Sequence, residues 1–334
     1  MPDPTLTVIW AFIIAFAIAM YVVMDGFDLG IGILFPGFTV GGERDMAMNA
    51  IAPVWDGNET WLVLGGGGLM AAFPLAYAVV LPALYAPLIA MLLGLTFRGV
   101  AFEFRWRDPA HRALWDVAFC AGSIVATFAQ GITLGALLQG IAVEGRAYAG
   151  GWWDWATPFS LLCGVSLVIG YAQLGASWLI WKTEGSLHAD ARRFARWLAP
   201  AMLTALGAVS LATPFVEPQY FERWFDYPGL LVTLPMPLLV GVTAITLWWS
   251  LGTRDDSLPF LLTLALFLLA MAGLAISIWP DVIPGRVSIH EAAAPANSQQ
   301  FMLVGTAVLV PLILAYTGWA YWVFRGKVDA HGYH

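Results

Sequence analysis

Nine apolar runs, each close to the roughly 20 residues an α-helix needs to cross the hydrocarbon core of a bilayer, dominate this chain. They lie near residues 6–34, 56–76, 79–101, 115–138, 158–181, 197–215, 230–250, 258–279 and 301–324. A backbone in lipid has no water to satisfy its N–H and C=O groups, so each run must close its hydrogen bonds within itself. The expected fold is therefore all-α: a polytopic membrane protein with about nine transmembrane helices, forming a single transmembrane helical domain over 1–334. A length of 334 residues would also accommodate two soluble domains. Only 11% of the residues are charged, however, and mean hydropathy is +0.76, against about 25% charged in soluble domains. Residues 61–97 contain no charge at all, and Pro74 and Pro82 are expected to bracket the hairpin between the second and third helices, because proline breaks helical hydrogen bonding.

Basic residues set the expected orientation. Eleven of the 15 Lys and Arg residues fall on one side: Arg44, Arg105, Arg107, Arg112, Lys182, Arg192, Arg193, Arg196, Arg254, Arg325 and Lys327. The other side receives Arg146, Arg223 and Arg286, and Arg98 lies within a helix. By the positive-inside rule the N-terminus faces the periplasm and the C-terminus the cytoplasm. No Lys or Arg precedes Arg44, so the first segment lacks a basic signal-peptide leader and is expected to stay in the protein. Trp152, Trp153 and Trp155, and Trp319, Tyr321 and Trp322, fit interfacial aromatic belts. The outer loop near 280–300, with Pro280, Pro284 and Pro295, is long enough for a small lid or a partner contact. Net charge −7 with scattered basic residues excludes nucleic acid as a partner. Cys120 and Cys163 sit in apolar runs without metal or redox spacing and read as buried small hydrophobes.

Ionisable residues inside a membrane are costly and are candidates for function by default. Asp25 and Asp28, in Met-Asp-Gly-Phe-Asp-Leu-Gly at 24–30, are three apart and share a helix face. Asp25 comes about 28 Å along a helix that starts near Leu6, at the cytoplasmic edge of the hydrocarbon core. Asp56 and Glu59 repeat the spacing at the start of the second helix, and Arg98 reaches that level from the third. Two readings of the cluster stand side by side. In one, Arg98 neutralises a carboxylate while the others cap helix ends or meet water; in the other, closely spaced acids form a proton entrance.

Gly65, Gly66, Gly67 and Gly68 follow in the second helix; they weaken it, so close approach of another helix is the expected reason. The five histidines, His111, His188, His290, His331 and His334, are read as loop or tail residues. Haem iron needs axial His, Met or Cys, so no haem ligand is assigned to this chain, and the 11 methionines read as core filler. No metal site is expected either, since no acid/His set has ligand spacing.

Three stretches, MDGFDLGIGIL at 24–34, NAIAPVWDGNETWLVLGGGGLMAAFPLAY at 49–77 and FRGVAFEFR at 97–105, together with LVPLILAYTGWAYWVFRGKV at 309–328, resemble subunit II of cytochrome bd-type quinol oxidases. The short loops look closest to the cyanide-insensitive branch, although Ser288-Ile289-His290-Glu291 replaces a tryptophan-containing stretch common in enteric-type members. The resemblance implies a bacterial inner-membrane complex in which a partner, subunit I, holds two b-type haems and one d-type (or b-type) haem, oxidises quinol and reduces O2 to water without pumping protons. It implies that this chain binds no haem alone, that a structural quinone or lipid accompanies it, and that a small single-helix subunit can join the complex. It also assigns Asp25, Asp28, Asp56 and Glu59 to a cytoplasmic proton pathway, Arg98 to their charge partner and Trp61 to an oxygen route; relatives carry Gln as well at the position of Glu59. The alternative from the acids alone is a proton-coupled secondary transporter, although such proteins place their sites at the midplane on broken helices.

Overall fold

The computed structural model describes residues 2–328; His331 and His334 lie outside the described residues. The helices are α1 (Pro4–Leu34), α2 (Gly42–Asn49), α3 (Trp55–Ala72), α4 (Pro74–Ala83), α5 (Tyr85–Arg107), α6 (Arg112–Leu138), α7 (Pro158–Lys182), α8 (Gly185–Ala212), α9 (Pro218–Phe225), α10 (Gly229–Thr233), α11 (Pro235–Ser250), α12 (Leu258–Ile278), α13 (Ile289–Ala292) and α14 (Ala296–Val323). Two short antiparallel hairpins, β1 (Val143–Glu144) with β2 (Ala147–Tyr148) and β3 (Asp281–Ile283) with β4 (Val287–Ser288), complete the chain.

Local chemistry explains the boundaries. Asp3 caps α1 by accepting from the Thr5 and Leu6 backbone N–H groups at 2.8 and 3.3 Å, and Pro4 supplies the preset φ of a first helical residue. Thr157 and Ser160 form a reciprocal capping box at the start of α7. Arg223 closes the other end of α12, donating to the carbonyls of Ile276, Ser277 and Trp279, a cation at the negative end of a helix.

Among the described residues, eight helical segments are long and apolar enough to cross a membrane, one fewer than the nine runs. The exception is α3, where Asp56, Asn58, Glu59 and four glycines dilute the apolar character. The third crossing also begins later than expected, at Tyr85 rather than near 79. In place of a hairpin bracketed by Pro74 and Pro82, the chain forms the short helix α4, with Phe73 and Leu84 as non-helical joints. Helix α8 begins at Gly185 instead of 197, and the seventh run is interrupted at Leu234, before Pro235. Two histidines therefore sit in helices and not in loops: His188 in the first turn of α8 and His290 in α13. The 280–300 segment is no open loop, because β3, β4 and α13 fold it against the start of α14, with the Ala294 N–H bonded to the Ala72 carbonyl at 2.8 Å.

Helices α1 and α7 form the centre. At their crossing, a Cβ on Gly30 would stand 1.9 Å from the Tyr171 carbonyl oxygen, and one on Gly175 would stand 2.5 Å from the Gly30 carbonyl carbon. Only glycine allows this approach, and van der Waals packing is the main force between helices in lipid. Gly94 and Gly122 do the same for α5 and α6. Phe27, Trp178 and Phe260 lock α1, α7 and α12 together, with ring centroids 4.2 to 5.6 Å apart.

Candidate functional site: a buried acidic cluster around Arg98

Three helices deliver the cluster. Asp25 stands on α1, Glu59 on α3 and Arg98 on α5; the Arg98 Nη1 lies 2.6 Å from Glu59 Oε1 and 3.7 Å from Asp25 Oδ1. Asp25, Asp28 and Arg98 are fully buried. Asp25 and Arg98 each lie nine residues before the end of their helix, about 14 Å inward at 1.5 Å per residue. The Asp25 carboxyl and the Arg98 guanidinium are thus enclosed by the helices around them. The guanidinium is also sandwiched at 6.0 and 5.9 Å between the rings of Trp55 and Phe119, the geometry of a desolvated cation–π contact.

The other predicted residues separate from this core. Asp28 is bonded not to Arg98 but to Asn58, whose Nδ2 donates to Asp28 Oδ2 at 2.8 Å and to the Met24 carbonyl at 3.0 Å. The Tyr321 hydroxyl, from α14, donates to Asn58 Oδ1 at 3.1 Å. Tyr321 is therefore more than a belt aromatic, while its neighbours Trp319 and Trp322 remain exposed. Asp56 is exposed, one helical turn from Glu59 on the open flank of α3. Trp61 is buried and meets Phe16 edge-on at 5.7 Å. Of the four glycines, Gly65 and Gly68 face Ile18 and Ile14 of α1, whereas Gly66 and Gly67 meet nothing in the described chain.

Asn58 and Tyr321 were not among the predicted residues, nor was a hydrogen-bonded set one turn further along α1: Gln130 Nε2 donates to the Tyr21 hydroxyl at 2.7 Å, and the Tyr171 hydroxyl to Gln130 Oε1 at 3.4 Å. The position of Asn58 within WDGNETW was a usable signal, since a polar amide between two acids on one helix needs partners. The contact with Tyr321 had none, being 263 residues away.

A second charged network lies beyond an aromatic layer. Arg105, seven residues after Arg98 on the same face of α5, bonds Asp116 at 2.5 Å and Asp45 at 2.8 Å; Arg44 reaches Asp116 at 2.7 Å, and Arg112 joins Asp45. Between the two networks Phe35 and Phe119 meet at 5.0 Å, Phe35 beneath Arg105 and Phe119 beside Arg98. Among the described residues no group of His, Cys, Asp and Glu is arranged to hold a metal ion. The arrangement gathers carboxyl groups from two helices around a single buried cation.

Comparison with known proteins agrees with the motifs. Residues 6–324 match the family model described as cytochrome bd terminal oxidase subunit II. Cytochrome bd-I ubiquinol oxidase subunit 2 of Escherichia coli strain K12 is 30% identical over 361 aligned positions, covering 96% of this chain and 94% of that relative. Cytochrome bd ubiquinol oxidase subunit 2 of Bacillus subtilis strain 168 is 28% identical, covering 96% of each chain. A chain of the bd oxidase from Geobacillus thermodenitrificans shares the fold, with TM-score 0.76 at 17% identity over 97% of this chain and 100% of that one. The match runs from the first helix to the last and takes in every helix that builds the Arg98 cluster, so the chain belongs to the family of cytochrome bd terminal oxidase subunit II.

Proposed function

We propose that this protein is the haem-free second subunit of a quinol:O2 oxidoreductase in a bacterial inner membrane, and that the Arg98 cluster is its proton-uptake station. The reading rests on one observation above the others: α1, α3 and α5 bring Asp25 and Glu59 to one buried guanidinium, with Asp28 one turn along and Asp56 on the open flank. Three carboxyl groups around one cation in a low-dielectric interior balance their charge by holding protons. The Phe35–Phe119 layer closes the direct way along α5 and α6, which leaves the α3 flank, from Asp56 to Glu59, as the approach. The N-terminus is periplasmic and the C-terminus cytoplasmic in this reading, on the strength of the basic-residue asymmetry.

Subunit I is the partner, and it carries the b-type and d-type (or only b-type) haems that accept electrons from quinol and pass them to O2. The surface for it is the face shared by α3 and α14. Val63, Met70, Phe301, Val304 and Val308 are all more than half exposed there, Gly66 and Gly67 are open beside them, and Gln299 is the only buried residue of α14. In support of a haem-free role, His111 ends a three-residue 3-10 turn before α6, and His188 and His290 lie at helix starts. Trp61, packed between α1 and α3, is the residue we assign to an oxygen route toward subunit I. Further parts of the proposal are a structural quinone or lipid in the complex and a small single-helix subunit.

The test is Asp56→Asn in the assembled complex. Oxygen consumption with quinol should fall while haem content stays that of the unmodified complex; normal turnover would sink the proton-route assignment. An absorption spectrum of the purified protein tests the wider reading, because a colourless, autonomous protein would favour transport by the same acids.

A further inference from the structure

On the flank formed by α8 and α11, a surface cleft of about 560 Å³ is lined by His188, Arg192, Arg193, Arg196, Trp197 and Trp248. In a chain of net charge −7, three arginines within five residues of one helix are a local reversal of sign. Their side chains are not equally committed. Arg192 caps the end of α11 through the Leu251 and Thr253 carbonyls and pairs with Asp256 at 2.9 Å. Arg193 meets Asp190 at 3.2 Å, but its side chain remains 65% exposed. Among the described residues Arg196 has a single long hydrogen bond, 3.4 Å to the Leu251 carbonyl, and it is exposed. The cleft therefore offers guanidinium N–H groups that no other described residue engages, in the planar fork suited to a phosphate.

A second, independent feature adjoins it. Leu238, Val242, Ile245 and Trp248 follow one another at helical spacing along α11 and are 58% to 73% exposed, and Trp197 is 77% exposed on the facing helix. An apolar stripe that ends at two tryptophans and then at arginines has the layout of acyl region, interface and headgroup. We propose that the α8–α11 cleft binds the phosphate-bearing headgroup of an anionic phospholipid through Arg193 and Arg196, with an acyl chain lying along the α11 stripe. The site lies on different helices from the Arg98 cluster and does not depend on the oxidase role.

Native mass spectrometry of the complex, purified in detergent, delipidated and titrated with phosphatidylglycerol, tests this. The unmodified protein should retain one tightly held phosphatidylglycerol; Arg193→Gln/Arg196→Gln should bind it about 25-fold more weakly, a factor of about five for each basic side chain lost near an anionic headgroup. Equal retention by the two proteins overturns the proposal. Inorganic phosphate bound as tightly as the lipid also overturns it, because the cleft would then be an ion site. If the double variant does not assemble, the unmodified protein decides alone. It should prefer phosphatidylglycerol to zwitterionic phosphatidylethanolamine and lose that preference as ionic strength rises from about 0.05 to 0.5 M; absence of a preference at low salt overturns the assignment.

Discussion

Arg98 on α5 and Glu59 on α3 form a 2.6 Å ion pair in which the arginine is fully buried while the glutamate keeps about a quarter of its side chain exposed. The pair thus spans the boundary between the interior, where Asp25 waits 3.7 Å away, and the open flank of α3. A guanidinium stays charged under all biological conditions, so it fixes a permanent positive centre around which the acids arrange themselves.

Replacing that centre by Met should be among the most damaging single changes in the protein. Arg98→Met leaves Asp25 and Glu59 without their cation, and removing one partner of a buried pair costs about 3–5 kcal/mol. A thermal-unfolding scan of the detergent-solubilised protein checks this; a melting temperature within a degree of the unmodified protein would contradict it.

The Asp28–Asn58–Tyr321 chain ties α14 to α1 and α3. Tyr321→Phe removes one hydrogen bond and should cost about 1 kcal/mol, whereas Asn58→Leu deprives both Asp28 and Tyr321 of partners and should cost about 1–3 kcal/mol for each group left unsatisfied. Measuring both variants by thermal unfolding in one detergent tests the order, and equal losses would show that the chain does not act as a unit.

Glycines at two sites should respond differently to the same substitution. Gly30→Ala places a methyl group 1.9 Å from the Tyr171 carbonyl oxygen, so α1 and α7 must move apart, at a cost of at least about 1–3 kcal/mol for overpacking. Gly67→Ala meets nothing in this chain and should slightly stabilise α3, alanine being the better helix former. Yield and melting temperature of the separately expressed chain distinguish the two, and similar behaviour would contradict the crossing geometry.

Acidification should release the C-terminal segment. Partial burial pushes the Asp256 carboxyl up, but hydrogen bonds from Lys327 and Arg192 and the charges of Lys327 and His188 outweigh it and hold the group below its ordinary value of 3.8. A carboxyl lowered by folding contributes stability above its unfolded value and loses it as the pH falls through the folded one. Protection of the backbone around Lys327 against hydrogen exchange should therefore persist at neutral pH and disappear only below the usual carboxylate range. Loss of protection near pH 6 would contradict this.

Membrane insertion, the approximate crossings and the identity of the charged residues inside them were all readable in the linear chain, because each depends on some 20 consecutive side chains and the bilayer's intolerance of open backbone. The motifs around Asp25, Asp56 and Arg98 were equally legible and carried the family. The sequence did not disclose how those residues are shared. Helical periodicity says that Asp25 and Asp28 lie on one face, yet only the rotation of α3 and α5 against α1 decides that Asp25 faces Arg98 while Asp28 meets Asn58. That rotation is set by close approaches such as Gly30 to Tyr171 and Gly94 to Gly122, contacts between residues 28 to 141 positions apart. The same applies to the break at Leu84, the contact of Tyr321 with Asn58 and the aromatic layer of Phe35 and Phe119. By itself the chain determined which residues enter the membrane, a matter of local transfer free energy. The tertiary structure decided which of them share one buried charged cluster, since that depends on how helices distant in sequence turn toward one another.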